Sequence, residues 1–403
     1  MAKIGDIESA SSTSPYDSGA AILLRQPSQV SAMVSIAADT VVEISSSNPF
    51  VVVRTKGCGG AEEAFVSGHE IAQKGLDFLS IRGKADLATR EAADEHVVWW
   101  RDDDKQILRY VMTITSRWSI SARLSVDGEA SAKPAKPQEP FYHKAFRYFR
   151  LSQVADDLFN AYRNMYLAFE LLLSSHSPKQ NGERELDWLE RGLRGLPSKV
   201  VPNALVSEPD PVQAIIDTIY KDARLSLFHA KDGRDYFVPH GSLEDHREVA
   251  SALQNLTELV LNIAKLHSKE VRGMGGRMSH SLKESTINSV FSDACFILSD
   301  DDSPFDPKVN DLSHPRYERA VRIDTSISPN TARNNLPVLV GTAGIEDVDE
   351  TDVVRRIEVI NDTNPLAGHV LPAPLSLAEL DVIQCQLNSR HLNATAPKQV
   401  FPS

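Results

Sequence analysis

The chain has 403 residues, a hydrophobic fraction of 41% and a formal net charge of −12. That length predicts two or three domains with real cores. The acidic balance argues against a protein that binds nucleic acid over its whole surface, and no run of about 18 apolar residues offers a membrane span.

Residues 1–20, opening MAKIGDIESASSTSPYDSG, are polar and small and are expected to be disordered. They lack the charged start and apolar stretch of a secretory signal. Residues 21–128 predict a β-rich domain. MVSIAADTVVEIS, PFVVVRT and QILRYVMTITSRWSISARLSV are rich in Val, Ile and Thr with partial period-two alternation. GHEIAQKGLDFLSIRG predicts a short helix followed by a strand, and HVVWWRDDDKQILRY a hairpin with an Asp-rich turn. Gly, Ala, Lys and Pro collect over SVDGEASAKPAKPQEP, which predicts a linker at 129–140.

Residues 141–270 predict helices. Val154, Leu158, Tyr162, Met165, Phe169 and Leu172 recur at three- and four-residue spacing, with Ser152 as an N-cap. Asp210 before Pro211 marks a second start, because proline suits the first helical position. Ser242 and Asp245 sit at capping-box spacing before a stripe of Val249, Leu256, Val260 and Ile263. Beyond the Gly-rich VRGMGGRMSHS, residues 271–387 predict an acidic β-rich region. SVFSDACFIL, PVLVGTAG and VVRRIEVIN read as strands and SDDDSPFDP as an exposed loop. Residues 388–403 are expected to be a flexible tail. The two β-rich regions are compatible with separate domains or with one domain interrupted by a helical insertion. The expected class is α+β, with a central all-α bundle flanked by β-rich N- and C-terminal regions.

Within the helical region, DARLSLFHAKDG (222–233) places Arg224 and His229 in an Arg-x4-His pattern ahead of an Asp-Gly stop. Together with YRNMYLAFELLLS (162–174) and GERELDWLERGL (182–193), this order of segments resembles the HEPN superfamily. Within it the likeness is to the Apea-like members and the MauJ-type proteins of methylamine-utilisation clusters. It covers about one third of the chain, residues 141–270. The resemblance implies a HEPN-like bundle, a homodimer through that bundle, and metal-independent cleavage of RNA at a cleft where two such motifs meet. Carried over, His229 would be the acid/base and Arg224 the phosphate clamp. The chemistry suits those residue types. Histidine titrates near neutrality, and arginine presents a fixed fork of donors to a phosphate.

In a regular helix the five-residue step separates Arg224 and His229 by about 140°, so convergence needs a helix end or a second chain. The sequence departs from active members at Leu225, where they carry a polar residue. The alternative is structural: Arg224 pairs with an acid such as Glu170 or Asp222, while His229 caps the helix C-terminus. Glu170, set in an apolar stripe, would either position Arg224 or neutralise it. Lys221, Lys231 and Arg234 are the residues placed to draw in an RNA backbone, offset by Asp222, Asp232 and Asp235. HKAFRYFR (143–150) interleaves cations with aromatics, which suits either base stacking or seating of the first helix.

Cys58, Cys295 and Cys385 lack CxxC spacing, so neither disulfides nor a zinc site are expected, and a reducing cytoplasm, in a bacterium, is the simplest setting. No cofactor, metal, membrane or DNA partner is expected. Three functions follow: a ribonuclease effector or sensor in bacterial defence, a catalytically silent dimeric scaffold with an accessory role, or a ligand-sensing regulator. The first needs Arg224 and His229 exposed in a cleft. The second needs them buried and paired. The third needs a roomy pocket near Trp99 and Trp100.

Overall fold

The computed structural model describes residues 2–10, 14–90, 95–116, 142–155, 157–228, 236–239, 241–267, 280–303, 320–327, 339–348, 353–361 and 365–391. The N-terminal part supplies β1 (Lys3–Ile4), β2 (Ile7–Glu8), β3 (Ser18–Leu23), β4 (Ala32–Ala37), β5 (Thr40–Ile44), β6 (Phe50–Thr55), β7 (Glu95–Asp102) and β8 (Lys105–Ser116). The C-terminal part supplies β9 (Cys295–Ser299), β10 (Val321–Ile327), β11 (Leu339–Gly344), β12 (Val353–Ile360), β13 (Pro365–Ser376) and β14 (Val382–His391). All belong to one 14-stranded sheet in the order β2-β1-β13-β12-β9-β10-β11-β14-β8-β7-β3-β6-β5-β4.

This sheet overturns the expected arrangement of a central all-α bundle between two β-rich regions. The two regions are joined where β14 runs parallel to β8, from Val382 opposite Ile107 to His391 opposite Ser116. The organising element is the sheet, and the helices between β8 and β9 are an insertion in it. The N-terminal residues expected to be disordered also pair, with Lys3 opposite Ser376 and Ile4 opposite Leu375. Ala2, Ile4 and Ile7 are buried, so their apolar area outweighs the polar composition of the segment. The expected tail begins later than 388, because Asn388–His391 continue β14.

The sheet folds back on itself. Phe50, Val52, Val97, Trp99, Leu108 and Tyr110 share one core with Phe296, Leu298, Ile357, Val359, Leu375 and Leu387. Across this fold His369 on β13 lies 3.0 Å from Glu95 on β7. Strand alternation sends the neighbours of those residues to the opposite face. There Ala20, Ile22, Val42, Val53, Val98 and Trp100 pack under α1 (Ala61–Ile81). These strands are buried on both faces, which is why they read as continuous apolar runs. The expected short helix and strand over 68–83 is instead the second half of this one helix. Its contact with the sheet depends on two glycines. A Cβ on Gly68 would come 2.4 Å from Ala20 Cβ, and one on Gly75 would come 2.5 Å from Val42 Cγ1.

The inserted helices are α2 (Ala145–Gln153), α3 (Leu158–His176), α4 (Glu185–Arg194), α5 (Pro211–Ile215), α6 (Leu225–Phe228) and α7 (Leu243–His267). They bury a core of their own, with members drawn from residues 145–264. Asp157, not Ser152, caps α3, accepting from Asn160 N–H at 2.7 Å. Asp210 accepts from the N–H groups of Val212 and Gln213, both at 3.1 Å, with Pro211 at the first position as expected. Phe146, Tyr148 and Phe149 lean on the helical core, which supports the seating role for HKAFRYFR. The last helix, α8 (His280–Phe291), returns to the sheet, where Ile287 and Phe291 join its core. Its last three residues take up the start of SVFSDACFIL, so of that stretch only Cys295 onward is strand, in β9. No helix among the described residues is long and apolar enough to cross a membrane.

Candidate functional site

The motif arginine lies at the end of an irregular turn. Between α5 and α6, residues Ile216–Arg224 are π-helical, with Leu225 N–H donating to the Tyr220 carbonyl five residues back. Such wide turns loosen the regular ladder, and their carbonyls look for other donors. Here Tyr162 O–H donates to the Ile219 carbonyl at 2.5 Å, and Thr218 Oγ1 donates to the Ala214 carbonyl at 2.8 Å. Tyr162 is wholly buried. The long α3 helix of the insertion therefore fixes the register of the segment that carries Arg224.

The Arg224 side chain is only 17% exposed, and its Nη2 lies 3.0 Å from Glu185 Oε1. Three rings frame the guanidinium, with centroids 5.0 Å (Tyr220), 5.4 Å (Phe228) and 5.6 Å (Tyr166) away. A second guanidinium, of Arg163, lies 5.0 Å from the Phe228 ring. The acid partner is thus neither Glu170 nor Asp222. Glu185 stands in the first turn of α4, where the helix dipole favours a carboxylate. Glu170 stands in the middle of α3 and lacks that support. Burial, and then repulsion from Glu185, raise its pKa against the pull of Arg224. The two acids therefore divide the work: Glu185 holds the arginine, and Glu170 beside it takes up a proton more readily than an ordinary carboxylate.

Two polar atoms of this cluster are buried without a hydrogen-bond partner among the described residues, Arg224 Nε and the Tyr166 hydroxyl. Burial, and secondarily Glu170, push the Tyr166 phenol well above its ordinary pKa, so it stays protonated. Lys221 is bound 2.7 Å from Asp217 on the preceding turn, and this contact holds the aspartate below its usual range. Asp222 is raised, first by burial and then by Asp217. The structure thus brings Arg224 and Glu170 together and directs Lys221 to an acid. His229, Lys231 and Arg234 lie outside the described residues, and so does the Arg-to-His geometry. No group of three His, Cys, Asp or Glu able to hold a metal is found among the described residues.

Two further arginines were not singled out by sequence reasoning. Arg356 is wholly buried on β12. It donates from Nη1 to Glu358 at 2.7 Å, from Nε to the Asp301 carbonyl at 3.2 Å and from Nη2 to Ser303 Oγ at 3.1 Å, with Asp301 Oδ2 3.0 Å from Nη2. SDDDSPFDP thus begins as a tether on the sheet and not as a free loop; from Pro304 on it lies outside the described residues. Opposite charges two apart on a strand, Arg356 and Glu358, share one face, and that spacing was the readable signal. The second is Arg109 on β8, which lies 5.3 Å over Trp100. An open groove of about 730 Å³ is lined by Arg109 and by residues 59–70 of α1 and the loop before it, while Trp99 and Trp100 are buried and do not line it.

No family model, curated protein or solved structure matches this chain.

Proposed function

We propose that this chain is a catalytically silent accessory protein that assembles as a homodimer through its helical insertion. The reading rests on one observation, the commitment of Arg224 to Glu185 and to three aromatic rings. A phosphate would have to displace a carboxylate that the α4 N-terminus already favours. Leu225 and Phe228 of the motif are half-buried, with Phe228 set against Tyr166 at 6.3 Å. The intervening residues therefore serve packing. On this view Arg224 of the HEPN-like motif has given its charge to structure, as an accessory role of the methylamine-utilisation kind would allow.

A metal-independent ribonuclease acting in defence is the second reading. It is favoured by the buried Arg224 Nε and Tyr166 hydroxyl, which lack partners among the described residues, in a segment with a π-helical turn of the sort often found at functional sites. There His229 would be acid/base, and Lys221, Lys231 and Arg234 would hold the backbone. Labelled single-stranded RNA in EDTA, with wild type, Arg224→Ala and His229→Ala, separates the two. A sedimentation measurement of the same samples reads the assembly state. A dimer without cleavage is the expected result. Cutting that leaves 2′,3′-cyclic phosphate and disappears in both variants would overturn the silent reading. A monomer would overturn the assembly.

A further inference from the structure

The groove beside Arg109 lies on the sheet, apart from the helical insertion and independent of the reading given above. Its walls are built as follows. β6 ends at Thr55, and a Gly-rich loop, Gly57 to Gly60, leads into α1. The loop is pinned from below: Gly57 N–H donates to Asp17 Oδ1 at 2.8 Å and Cys58 N–H to Ser18 Oγ at 3.3 Å. It is pinned from above by Glu63, whose Oε2 accepts from Gly59 N–H at 2.7 Å. The first turns of α1 then present Glu62, Val66, Ser67 and Glu70 to the groove, with Arg109 on the sheet side.

Arg109 is half-buried and is held in place without being neutralised. Its Nε donates to Gln384 Oε1 at 2.9 Å, on the strand paired with it, and the guanidinium lies over the Trp100 ring. Both contacts orient the fork. Neither carries negative charge, and no carboxylate among the described residues forms an ion pair with it. Burial alone acts on its pKa, lowering it. A partly desolvated guanidinium with its terminal nitrogens open has lost hydration that a planar oxyanion would restore in two parallel hydrogen bonds.

The acids of the rim decide which oxyanion. Glu63 is used by the loop, and Glu70 is bound to Lys74 at 2.8 Å. Glu62 is exposed and has no ion-pair partner among the described residues. A phosphate carrying two charges would meet this acidic rim unfavourably, whereas a ligand with a positive group at the other end would be favoured by it. The volume lies within the range of small-molecule sites, about 300–1,000 Å³. We propose that this groove binds a small amino-carboxylate, with the carboxylate on the open edge of Arg109, the aliphatic part along Val66 and the ammonium group at Glu62.

A series of ω-amino acids of increasing length, glycine, 4-aminobutyrate and 6-aminohexanoate, with lysine added, serves as a ruler in calorimetric titrations of the full chain. Acetate, butylamine and inorganic phosphate are the comparison ligands. One member of the series should bind about tenfold or more tighter than acetate and butylamine. Glu62→Gln, on an exposed position, should weaken it several-fold. Arg109→Gln should remove it, and Arg109→Lys, which keeps the charge but not the fork, should weaken it with the thermal midpoint retained. The proposal is overturned if no amino-carboxylate outbinds both acetate and butylamine, if phosphate is the tightest Arg109-dependent ligand, or if Arg109→Gln leaves binding intact.

Discussion

The sheet body and the helical insertion each bury an arginine beside two acids, and they treat it differently. In the sheet, Arg356 and Glu358 are both wholly buried, and Asp301 and Ser303 fill the remaining donors. In the insertion, Arg224 keeps 17% of its side chain exposed, its Glu185 partner keeps 31%, and one nitrogen is left without a partner among the described residues. A saturated network in a dry core stays in one arrangement, because every alternative strands a charge. A half-wet pair with a spare donor has other arrangements close in energy. Of the two arginine sites, the one in the sheet is the more rigid and the one at the motif the more adaptable.

The strongest way to break that contrast is Arg356→Ala. It takes from Glu358 the guanidinium buried against it, and removing one partner of a buried pair costs about 3–5 kcal/mol. A large fall in the thermal midpoint or the denaturant midpoint checks it. Exchanging the pair together, Arg356→Met with Glu358→Leu, should recover much of the loss, because the wholly buried carboxylate goes with the guanidinium and only Asp301, 21% exposed, loses a partner. A midpoint for Arg356→Ala equal to wild type would mean that water reaches the network. The next effect is Gly75→Leu on α1. The added side chain meets Val42, and overpacking of this kind costs about 1–3 kcal/mol. Denaturant unfolding of the variant measures it.

Legibility in the sequence follows the range of the interaction. The β7–β8 hairpin was readable, since its apolar runs flank an Asp-rich turn in which Asp103 takes a φ of 50°. The caps at Asp210 and Ser242 were readable too, because they act within a few residues. The pairing of β14 with β8 joins residues some 275 positions apart. No local pattern encodes such a partner, so the single sheet could not be told from two. The residues at the two ends, Lys3–Glu8 and Asn388–His391, suffered the same way: their order comes from strands far off in the chain. At the site, Arg224 and Glu170 were readable as neighbouring charges on an apolar background, but not as partners. Glu185 was not chosen, because its claim on Arg224 comes from its place in the first turn of another helix. The π-helical register comes from Tyr162 and has no local mark.

Smaller effects sharpen the other side of the comparison. Glu185→Gln should cost only about 0–1 kcal/mol, as partly exposed pairs do. It should also relieve Glu170 of a repelling neighbour, lowering the pKa of that carboxyl toward its ordinary value. The pH dependence of stability reads this change directly. Glu170 has a raised pKa in the folded state, so between the ordinary carboxylate range and the raised value the native protein holds a proton that the unfolded chain has released. Stability from this group is therefore complete below the unfolded pKa and is lost as pH rises through the folded one. Thermal midpoints of wild type and Glu170→Gln across mildly acidic to neutral pH should diverge in that sense, with wild type losing stability relative to the Gln variant as pH rises. In a Glu185→Gln background the divergence should shrink, since burial then acts on Glu170 without its second cause. Parallel curves in all backgrounds would mean that Glu170 is ionised throughout. Arg224 would then be shared by two carboxylates, and the division of labour between the acids would be wrong.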